Sequence, residues 1–421
     1  MREACLPAAL LALASVAGAA DPPAGRGGGW RVEPFSIESP GSRFRIQLAG
    51  YAQADFRHFQ DWTAGDEETG RLRAEEFEWR RLRIGFEGRF GPLSFELDVD
   101  PAFDEGDELK DAWLDLRLAR ELHVRGGHMK LPVSPEWLTS ASRTDFVERS
   151  LPVRLFAPAR DWGVMLHGQL GRLVEYQAGV FEGDGRTLKN RARTTIAGRL
   201  VLSPAKGLDL GGSFAQGDVG ADPAGPDLDP APRGLRGDSL TDFRFFAPLF
   251  VDGRRQRWGA EASFRAGPVG LRSEYLETRE SRRGQGPPLG DLPEVVGRGW
   301  TVAATWLLTG ERKVRTIRPE HALFGGPGAV ELGVRYDEVR FDDTENEGFE
   351  GVGNRSRNIR PAGLRAITGG LSWWPTTWLR LMGDVVVERY DDPQRAPEPG
   401  REGDYVSFLG RVQVHIPTGT R

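Results

Sequence analysis

An unbroken alternation of apolar and polar residues occupies positions 93–100, which read Leu93-Ser94-Phe95-Glu96-Leu97-Asp98-Val99-Asp100. Successive side chains of a β-strand point to opposite faces, so a period of two places every apolar residue on one face. The same pattern occurs early in the chain, at residues 43–48, and late, at residues 300–308. The sequence therefore predicts an all-β protein whose strands have one apolar and one polar face.

Sixteen segments of this kind follow one another, and short connections alternate with long ones. This alternation is typical of outer-membrane barrels, which have short turns at one end, long loops at the other, lipid outside and water inside. One connection is an exception to this alternation, because residues 309–328 form a long connection at the end of the barrel where short turns are expected. We predict a transmembrane antiparallel β-barrel of about 16 strands with short periplasmic turns and long external loops. The predicted strands span 43–57, 76–89, 93–100, 109–118, 121–130, 160–170, 173–182, 193–202, 207–216, 254–266, 269–278, 298–308, 329–341, 365–374, 377–390 and 404–416.

Aromatic residues on the predicted lipid side, near strand ends, fit the girdles that such barrels place at the two membrane interfaces. The alternative is a water-soluble β-sandwich in which the same aromatic residues form the core. A sandwich seldom needs this many strands, and its loops need not alternate in length. The candidate girdle residues are Phe44, Trp79, Phe86, Trp300, Trp306, Tyr336, Trp374, Trp378 and Phe408.

The composition and the N-terminal segment agree with export to an envelope. Apolar residues make up 39% of the 421-residue chain, too few for a helical membrane protein. Residues 1–19 are predicted to be a signal peptide that ends in a small-x-small site at Ala17-Gly18-Ala19. Residues 20–42 are predicted to be a flexible leader, and residues 43–421 the barrel. Cys5 is the only cysteine, so the mature chain is predicted to have no disulfide and no cysteine metal site.

No pattern in the chain predicts catalysis. The six histidines have no metalloprotease spacing, and the sequence has neither a phosphate-binding loop nor a G-x-S-x-G turn. An acidic stretch over residues 98–108 offers Ca²⁺ ligands, but such runs are more often solvated loops. We therefore expect a non-enzymatic protein with no cofactor and no bound metal. The net charge of -5 also gives no reason to expect a nucleic-acid partner.

The basic residues suggest a different chemistry. Only five of the 56 basic residues are lysine; a GC-rich genome gives this bias, and so does selection for guanidinium groups, which bind oxyanions bidentately. Arg81, Arg83 and Arg89 share the polar face of the second strand, and the third long loop (residues 131–159) holds several more arginines. Rings of arginine in a narrow polar pore favour anions. The alternative is that nearby carboxylates, such as Asp145 and Glu148, pair with these arginines and leave no net field.

At this point the chain resembles the phosphate-selective porin O and P family over roughly residues 43–416. The motifs that carry the resemblance occur in the family's order. They are Arg80-Arg81-Leu82-Arg83-Ile84-Gly85-Phe86-Glu87-Gly88, Leu109-Lys110-Asp111-Ala112-Trp113, Leu138-Thr139-Ser140, Phe146-Val147-Glu148-Arg149-Ser150-Leu151-Pro152, Leu307-Leu308-Thr309-Gly310-Glu311 and Ala329-Val330-Glu331-Leu332 with Arg335-Tyr336.

The resemblance implies a homotrimeric porin in the outer membrane of a Gram-negative bacterium, in contact with membrane lipid. It also implies an anion-preferring channel for passive uptake of phosphate, polyphosphate or other small anions, with basic residues along a constricted path. The residues that match such a path, or extend it, are Arg80, Arg81, Lys110, Arg149, Arg233, Arg236, Lys313, Arg315 and Arg318.

Three positions depart from the family pattern. Tyr51 stands where phosphate-specific members have an arginine, Trp137 where they have a lysine, and Lys110 where they have an acidic residue. The first two departures argue against tight phosphate selectivity. Two alternatives therefore stay open: a general or loop-plugged barrel with a structural or adhesive role, and a secreted soluble β-protein that binds glycans.

Overall fold

The computed structural model describes residues 30–33, 35–59, 75–102, 108–183, 194–219, 234–286, 290–342 and 362–416. Within these ranges the chain is almost entirely β-structure, with a few short helical turns. No helix among them is both long and apolar enough to cross a bilayer.

Sixteen antiparallel strands in the described ranges form a closed barrel. Each strand pairs with the next one in sequence, and the last pairs with the first along the register from Ser407–Phe59 to His415–Tyr51. All sixteen predicted strands are therefore present, with ends that differ by a few residues. They are β1 Phe44–Phe59, β2 Glu75–Phe90, β3 Leu93–Val99, β4 Leu109–Arg117, β5 His123–Lys130, β6 Arg160–Leu170, β7 Val174–Glu182, β8 Thr194–Ala205, β9 Leu208–Val219, β10 Gly253–Ala266, β11 Val269–Arg282, β12 Leu292–Leu307, β13 Ala329–Phe341, β14 Ala362–Trp374, β15 Leu379–Tyr390 and β16 Tyr405–His415.

The two faces of the wall are arranged opposite to those of a water-soluble sheet. Outward apolar side chains stay uncovered, with Val164 56% and Trp306 54% exposed. Inward charged side chains are buried, with Asp337 and Glu388 both 0% exposed. A soluble sandwich would bury its apolar face, so this arrangement excludes that alternative and gives the outer surface a belt suited to lipid.

Tight turns close one end of the barrel. Gly91 and Gly267 have φ angles of 57° and 55°, a left-handed conformation that glycine adopts without strain, and each lies in a two-residue turn before a proline. β1 begins and β16 ends at this short-turn end. The long loops lie at the other end, with the exception of residues 308–328, which connect β12 and β13 on the short-turn side as the sequence predicts.

The barrel's periphery includes part of the predicted leader and one aromatic residue whose predicted orientation is wrong. Within residues 20–42, Arg31–Glu33 and Ser36–Glu38 form a hairpin that pairs with β1 beside its Gln47. This hairpin covers an edge of β1 that β16 does not reach. Trp374 does not face lipid, because it is buried in a small inner cluster with Ile317. Trp373 is the outward residue of that pair, since it lies on the same face as Leu371.

Two long loops fold into the barrel at its long-loop end. The third loop contains helices α1 (Pro135–Leu138) and α2 (Leu151–Phe156) and a helical turn at Ala141–Arg143. The fifth long loop, which connects β9 and β10, contains a small hairpin, Gly237–Asp238 with Arg244–Phe246. Their apolar residues pack with wall residues, as where the rings of Phe246 and Phe341 stack at 3.9 Å. Further helical turns lie at Pro40–Ser42 and Pro393–Arg395.

Candidate functional site

The third loop packs against a patch of the barrel wall that is formed by glycines. Phe146 packs over Gly333 and Gly370, which are direct cross-strand partners on β13 and β14. A Cβ atom added to Gly370 would lie 2.9 Å from the Phe146 ring, and one added to Gly333 would lie 3.0 Å away. Arg335 covers the same ring, with its guanidinium carbon 4.7 Å from the ring centroid. The glycine pair therefore provides the space that seats the loop.

Wall side chains bind the backbone of this loop. The Asp384 carboxylate accepts a hydrogen bond from the Val147 N–H at 2.8 Å, and Arg335 donates to the Glu148 carbonyl at 2.8 Å. Buried backbone groups need such partners, and here the partners come from the barrel wall rather than from a helix or sheet. The loop is thereby fixed across the lumen, which it narrows. Further wall side chains that bond loop carbonyl groups are Gln53, Arg380 and Gln413.

The carboxylate of Glu148 lies at the centre of a cluster of arginines. Arg57, Arg80 and Arg154 each place a nitrogen 3.3 Å from it, and Arg411 places one at 3.8 Å. Burial alone would raise the pKa of Glu148, but the four guanidinium groups, Arg80 foremost, hold that pKa well below its usual range. The glutamate is therefore ionised and joins the loop to β1, β2 and β16.

Other carboxylates compensate the same arginines. Asp242 of the fifth loop pairs with Arg57 at 2.5 Å and also with Arg154. Asp55 accepts two hydrogen bonds from Arg411, both at 2.6 Å. Glu78 of β2 lies 3.2 Å from Arg57 and 3.8 Å from Arg80. Four carboxylates thus face the four guanidinium groups of this cluster, and their geometry suits a structural role.

A β-bulge places two successive arginines on the inner face of β2. Gln53 pairs with Arg81, whereas the next residue of β1 pairs with Trp79, so Arg80 is an extra residue. Arg80 reaches Glu148, while Arg81 donates to the Gln53 side chain at 2.9 Å. Strict alternation would have turned Arg80 toward lipid, and the bulge prevents this.

Three basic groups at the constriction are bound only by uncharged oxygen atoms in the described part of the chain. Besides Arg81, Arg149 donates to the Thr139 carbonyl at 2.8 Å, and Lys130 donates to the Trp137 carbonyl at 2.5 Å. The Trp137 ring lies 5.2 Å from each of these two cations. Burial lowers the pKa of Arg149 to about 10, which leaves it protonated at neutral pH. The two arginines are therefore charged groups without a carboxylate partner in the described ranges.

A cavity of about 400 Å³ lies between the third loop and the short-turn end. Arg143, Arg315 and Arg318 line it, and none of the three has an ion-pair partner among the described residues. Burial, together with the nearby charge of Arg315, lowers the pKa of Arg143. Two carboxylates of the same cavity, Glu87 and Glu96, likewise form no ion pair within the described ranges.

Residues 308–328, the long connection at the short-turn end, supply part of this cavity. Ile317 anchors the connection against Trp374 inside the barrel. Lys313 pairs with Asp145 of the third loop at 2.7 Å and with Glu331 of β13. This pairing lowers the pKa of Asp145 despite its burial. The connection is therefore long because it enters the lumen and meets the underside of the loop.

Comparison with known proteins identifies the chain. A family model for the phosphate-selective porins O and P matches residues 46–416. The chain belongs to this porin family. Among solved structures, the anion-selective porin of Comamonas acidovorans is 13% identical, with a TM-score of 0.54 over 88% of this chain and 99% of that one. OmpF of Salmonella typhi is 11% identical, with a TM-score of 0.55 over 89% and 98% of the two chains.

Another solved structure that resembles this porin is OmpT of Vibrio cholerae, which is 10% identical with a TM-score of 0.55 over 89% of this chain and 98% of that one. No curated protein matches the sequence. At these identities the solved structures support the fold alone. Together with the family they identify an outer-membrane channel of a Gram-negative bacterium, whose short turns face the periplasm.

The basic residues that the sequence predicts to line an anion path lie in different environments in the porin's structure. Arg80 and Lys313 lie in the lumen in ion pairs. Lys110 is the buried extra residue of a bulge between β3 and β4, since Asp98 pairs with Asp111 and Val99 with Leu109. Arg236 is 59% exposed at the external end and pairs with Asp238 at 2.9 Å. Arg233 lies outside the described residues. The remaining selected residues are Arg81, Arg149, Arg315 and Arg318, whose positions are given above.

Sequence reasoning missed the partners that complete the constriction of the porin. Arg57 and Arg411 come from β1 and β16, the strands that close the barrel, and Asp242 comes from a loop almost a hundred residues from Glu148. A closed barrel requires its first and last strands to pair, so the proximity of residues 55–57 to residue 411 could have been predicted from the sequence. The inward fold of the fifth loop had no signal in the local pattern.

Proposed function

We propose that this porin conducts small anions passively, with phosphate-like oxyanions among them. The observation that carries the proposal is the set of lumen cations without a carboxylate partner in the described ranges. They lie at the constriction and in the periplasmic cavity below it: Arg81, Arg143, Arg149, Arg315 and Arg318. Cations in a narrow polar pore attract anions, and several weak positions in succession admit and release them.

Oxyanions suit these positions because these cations are arginines. A guanidinium group presents parallel N–H donors that match two oxygen atoms of a phosphate. Tyr51 and Trp137 occupy two positions where the family implies further cations, so we expect weak binding and no tight discrimination for phosphate. The route needs no energy source, because ions move down their own gradient.

Reversal potentials in planar bilayers test the anion preference. Under a KCl gradient the porin should give a potential of the anion-selective sign. Exchanging Arg143, Arg315 and Arg318 together for glutamine should move that potential toward zero. Arg236→Gln is the matched control, because this arginine is exposed and already paired, and it should leave the potential unchanged. A cation-selective potential in the native protein would contradict the proposal.

Single-channel current at increasing phosphate concentration tests the solute. Saturation of the current would support a phosphate-binding position, whereas linear growth would indicate a general anion pore. The rival function, a barrel plugged by its loops with a structural or adhesive role, gains some support from the buried hairpin of the fifth loop. It predicts no conductance in the same bilayers.

We infer that the porin assembles as a homotrimer. OmpT, a solved structure of similar fold, is described in a trimer form, and the family resemblance implies the same. Native mass spectrometry from detergent micelles should give three copies of the chain per complex. A single copy at all detergent concentrations would contradict the inference.

A further inference from the structure

Two histidines and an aspartate meet on the inner wall near the periplasmic rim, away from the path described above. Asp115 lies on β4, His123 on β5 and His167 on β6. His123 and His167 are direct cross-strand partners, and Arg117, two residues after the aspartate, faces His123. Neighbouring strands bring directly opposed side chains to within about 5 Å at the Cβ atoms.

The three side chains point their ligand atoms at one another. His123 Nδ1 lies 3.0 Å from one oxygen of Asp115, and His167 Nε2 lies 2.5 Å from the other. One ligand atom from each residue can be chosen so that all three lie within 4.8 Å of one another. Ligand atoms around a tetrahedral zinc ion are separated by about 3.3 Å, given bond lengths near 2.0–2.1 Å. Small rotations of the side chains would suffice to surround an ion.

The surroundings of the triad also suit a bound ion. Arg125 donates to Asp115 at 2.8 Å while its guanidinium carbon lies 3.9 Å from the Trp113 ring centroid, so the carboxylate is held in one orientation. Such outer contacts fix the ligands of metal sites. Both histidines line an open cavity of about 790 Å³ and are 20–23% exposed, so ions and water can reach them.

We propose that Asp115, His123 and His167 bind a divalent transition-metal ion, with Zn²⁺ as the best match. Two imidazole nitrogens and one carboxylate oxygen are typical ligands of Zn²⁺, and water from the cavity completes its coordination. Mg²⁺ and Ca²⁺ prefer oxygen ligands, so the histidine pair selects against them. The positive charge of Arg125 opposes a second cation nearby and makes the affinity moderate.

Cobalt titration of the purified porin, prepared without a histidine tag, tests the site. Co²⁺ should produce a saturable visible absorption with one equivalent per chain, and Zn²⁺ should displace it. His123→Gln and His167→Gln should each abolish the absorption, whereas His321→Gln, in the 308–328 connection, should retain it. Circular dichroism checks that each variant keeps the barrel.

Asp115→Asn gives an independent measurement, because removing the charge of this ligand should weaken Co²⁺ binding at least ten-fold. If Co²⁺ gives no saturable absorption, or gives one that survives both histidine changes, the three residues form only a hydrogen-bonded network and the proposal fails. Unchanged binding in Asp115→Asn would also contradict a site at Asp115.

Discussion

Two groups of arginines occupy the lumen, and they differ in what they contact. Around Glu148, Arg57, Arg154 and Arg411 are 3%, 15% and 1% exposed and are bound to carboxylates. In the periplasmic cavity, Arg315 and Arg318 have no ion-pair partner within the described residues. The same residue type thus occurs in two environments: compensated arginines build the constriction, and in the proposed function the unpaired ones set the field that an ion meets.

The comparison also explains why counting basic residues predicts selectivity poorly. A guanidinium group bound to a buried carboxylate has little charge left for a passing anion, however close to the pore it lies. The alternative that carboxylates neutralise the lumen arginines therefore holds for the Glu148 cluster and for Lys313. Arg315 and Arg318 form no ion pair within the described residues, although Glu87 and Glu96 line the same cavity.

The largest effect is expected when the centre of the compensated group is removed. Glu148→Gln leaves four arginines close together without their shared carboxylate, and breaking a buried ion pair costs about 3–5 kcal/mol. Unfolding by guanidinium chloride in detergent, followed by tryptophan fluorescence, should show that the free energy of unfolding falls by this amount. Glu398→Gln, which removes a partly exposed pair with Arg401, is the control and should cost no more than about 1 kcal/mol. An equally small loss for Glu148→Gln would show that the cluster does not stabilise the constriction.

A smaller effect is expected from filling the glycine patch under the loop. Gly370→Val inserts atoms where the Phe146 ring lies 2.9 Å from the Cβ position, and overpacking of this kind costs about 1–3 kcal/mol. The displaced loop should also change the single-channel conductance. Gly369→Val is a matched control on the same strand, because nothing lies within 4 Å of its Cβ position. Equal behaviour of the two variants would contradict the packing described for Phe146.

The compensated group also predicts how the channel responds to acid. The pKa values of Glu148, Asp145 and Asp242 are lowered by their cationic partners. A lowered carboxylate pKa contributes stability that is complete above the unfolded value, about 4, and is lost as the pH falls through the folded value. The difference in the free energy of unfolding between the native porin and Glu148→Gln should therefore stay constant from pH 7 to about pH 4 and shrink only below that. A change in this difference near pH 6 would show that Glu148 is not ionised as described.

The sequence predicts the wall of this porin better than its interior. A period of two and alternating loop lengths locate all sixteen strands, because the lipid and the lumen each require one kind of side chain on one face. Arg80 and Trp374 show the limits of the pattern: a bulge turned the first inward, and the strand register placed the second on the lumen face. One residue of shift exchanges the two faces of a strand.

The contacts inside the barrel depend on long-range placement. Phe146 packs on two glycines that follow it by about 190 and about 220 residues, and neither glycine is distinguished locally from others in the strands. The contact between the two histidines was easier to predict. If residues 130 and 160, at the ends of the predicted strands β5 and β6, are paired, the register places His123 opposite His167. Register arithmetic across predicted hairpins would have found it.

The smallest effect on stability is expected in the uncompensated group. Arg315→Gln removes no ion pair within the described chain, so the free energy of unfolding should change by less than about 0.5 kcal/mol. The reversal potential should nevertheless move toward zero, because one of the cations that face the cavity is gone. Arg411→Gln should have the opposite profile, because it leaves Asp55 without its partner and weakens the Glu148 cluster. Its free energy of unfolding should fall by several times the change expected for Arg315→Gln. If both variants altered stability equally, the division between structural and field-setting arginines would not hold.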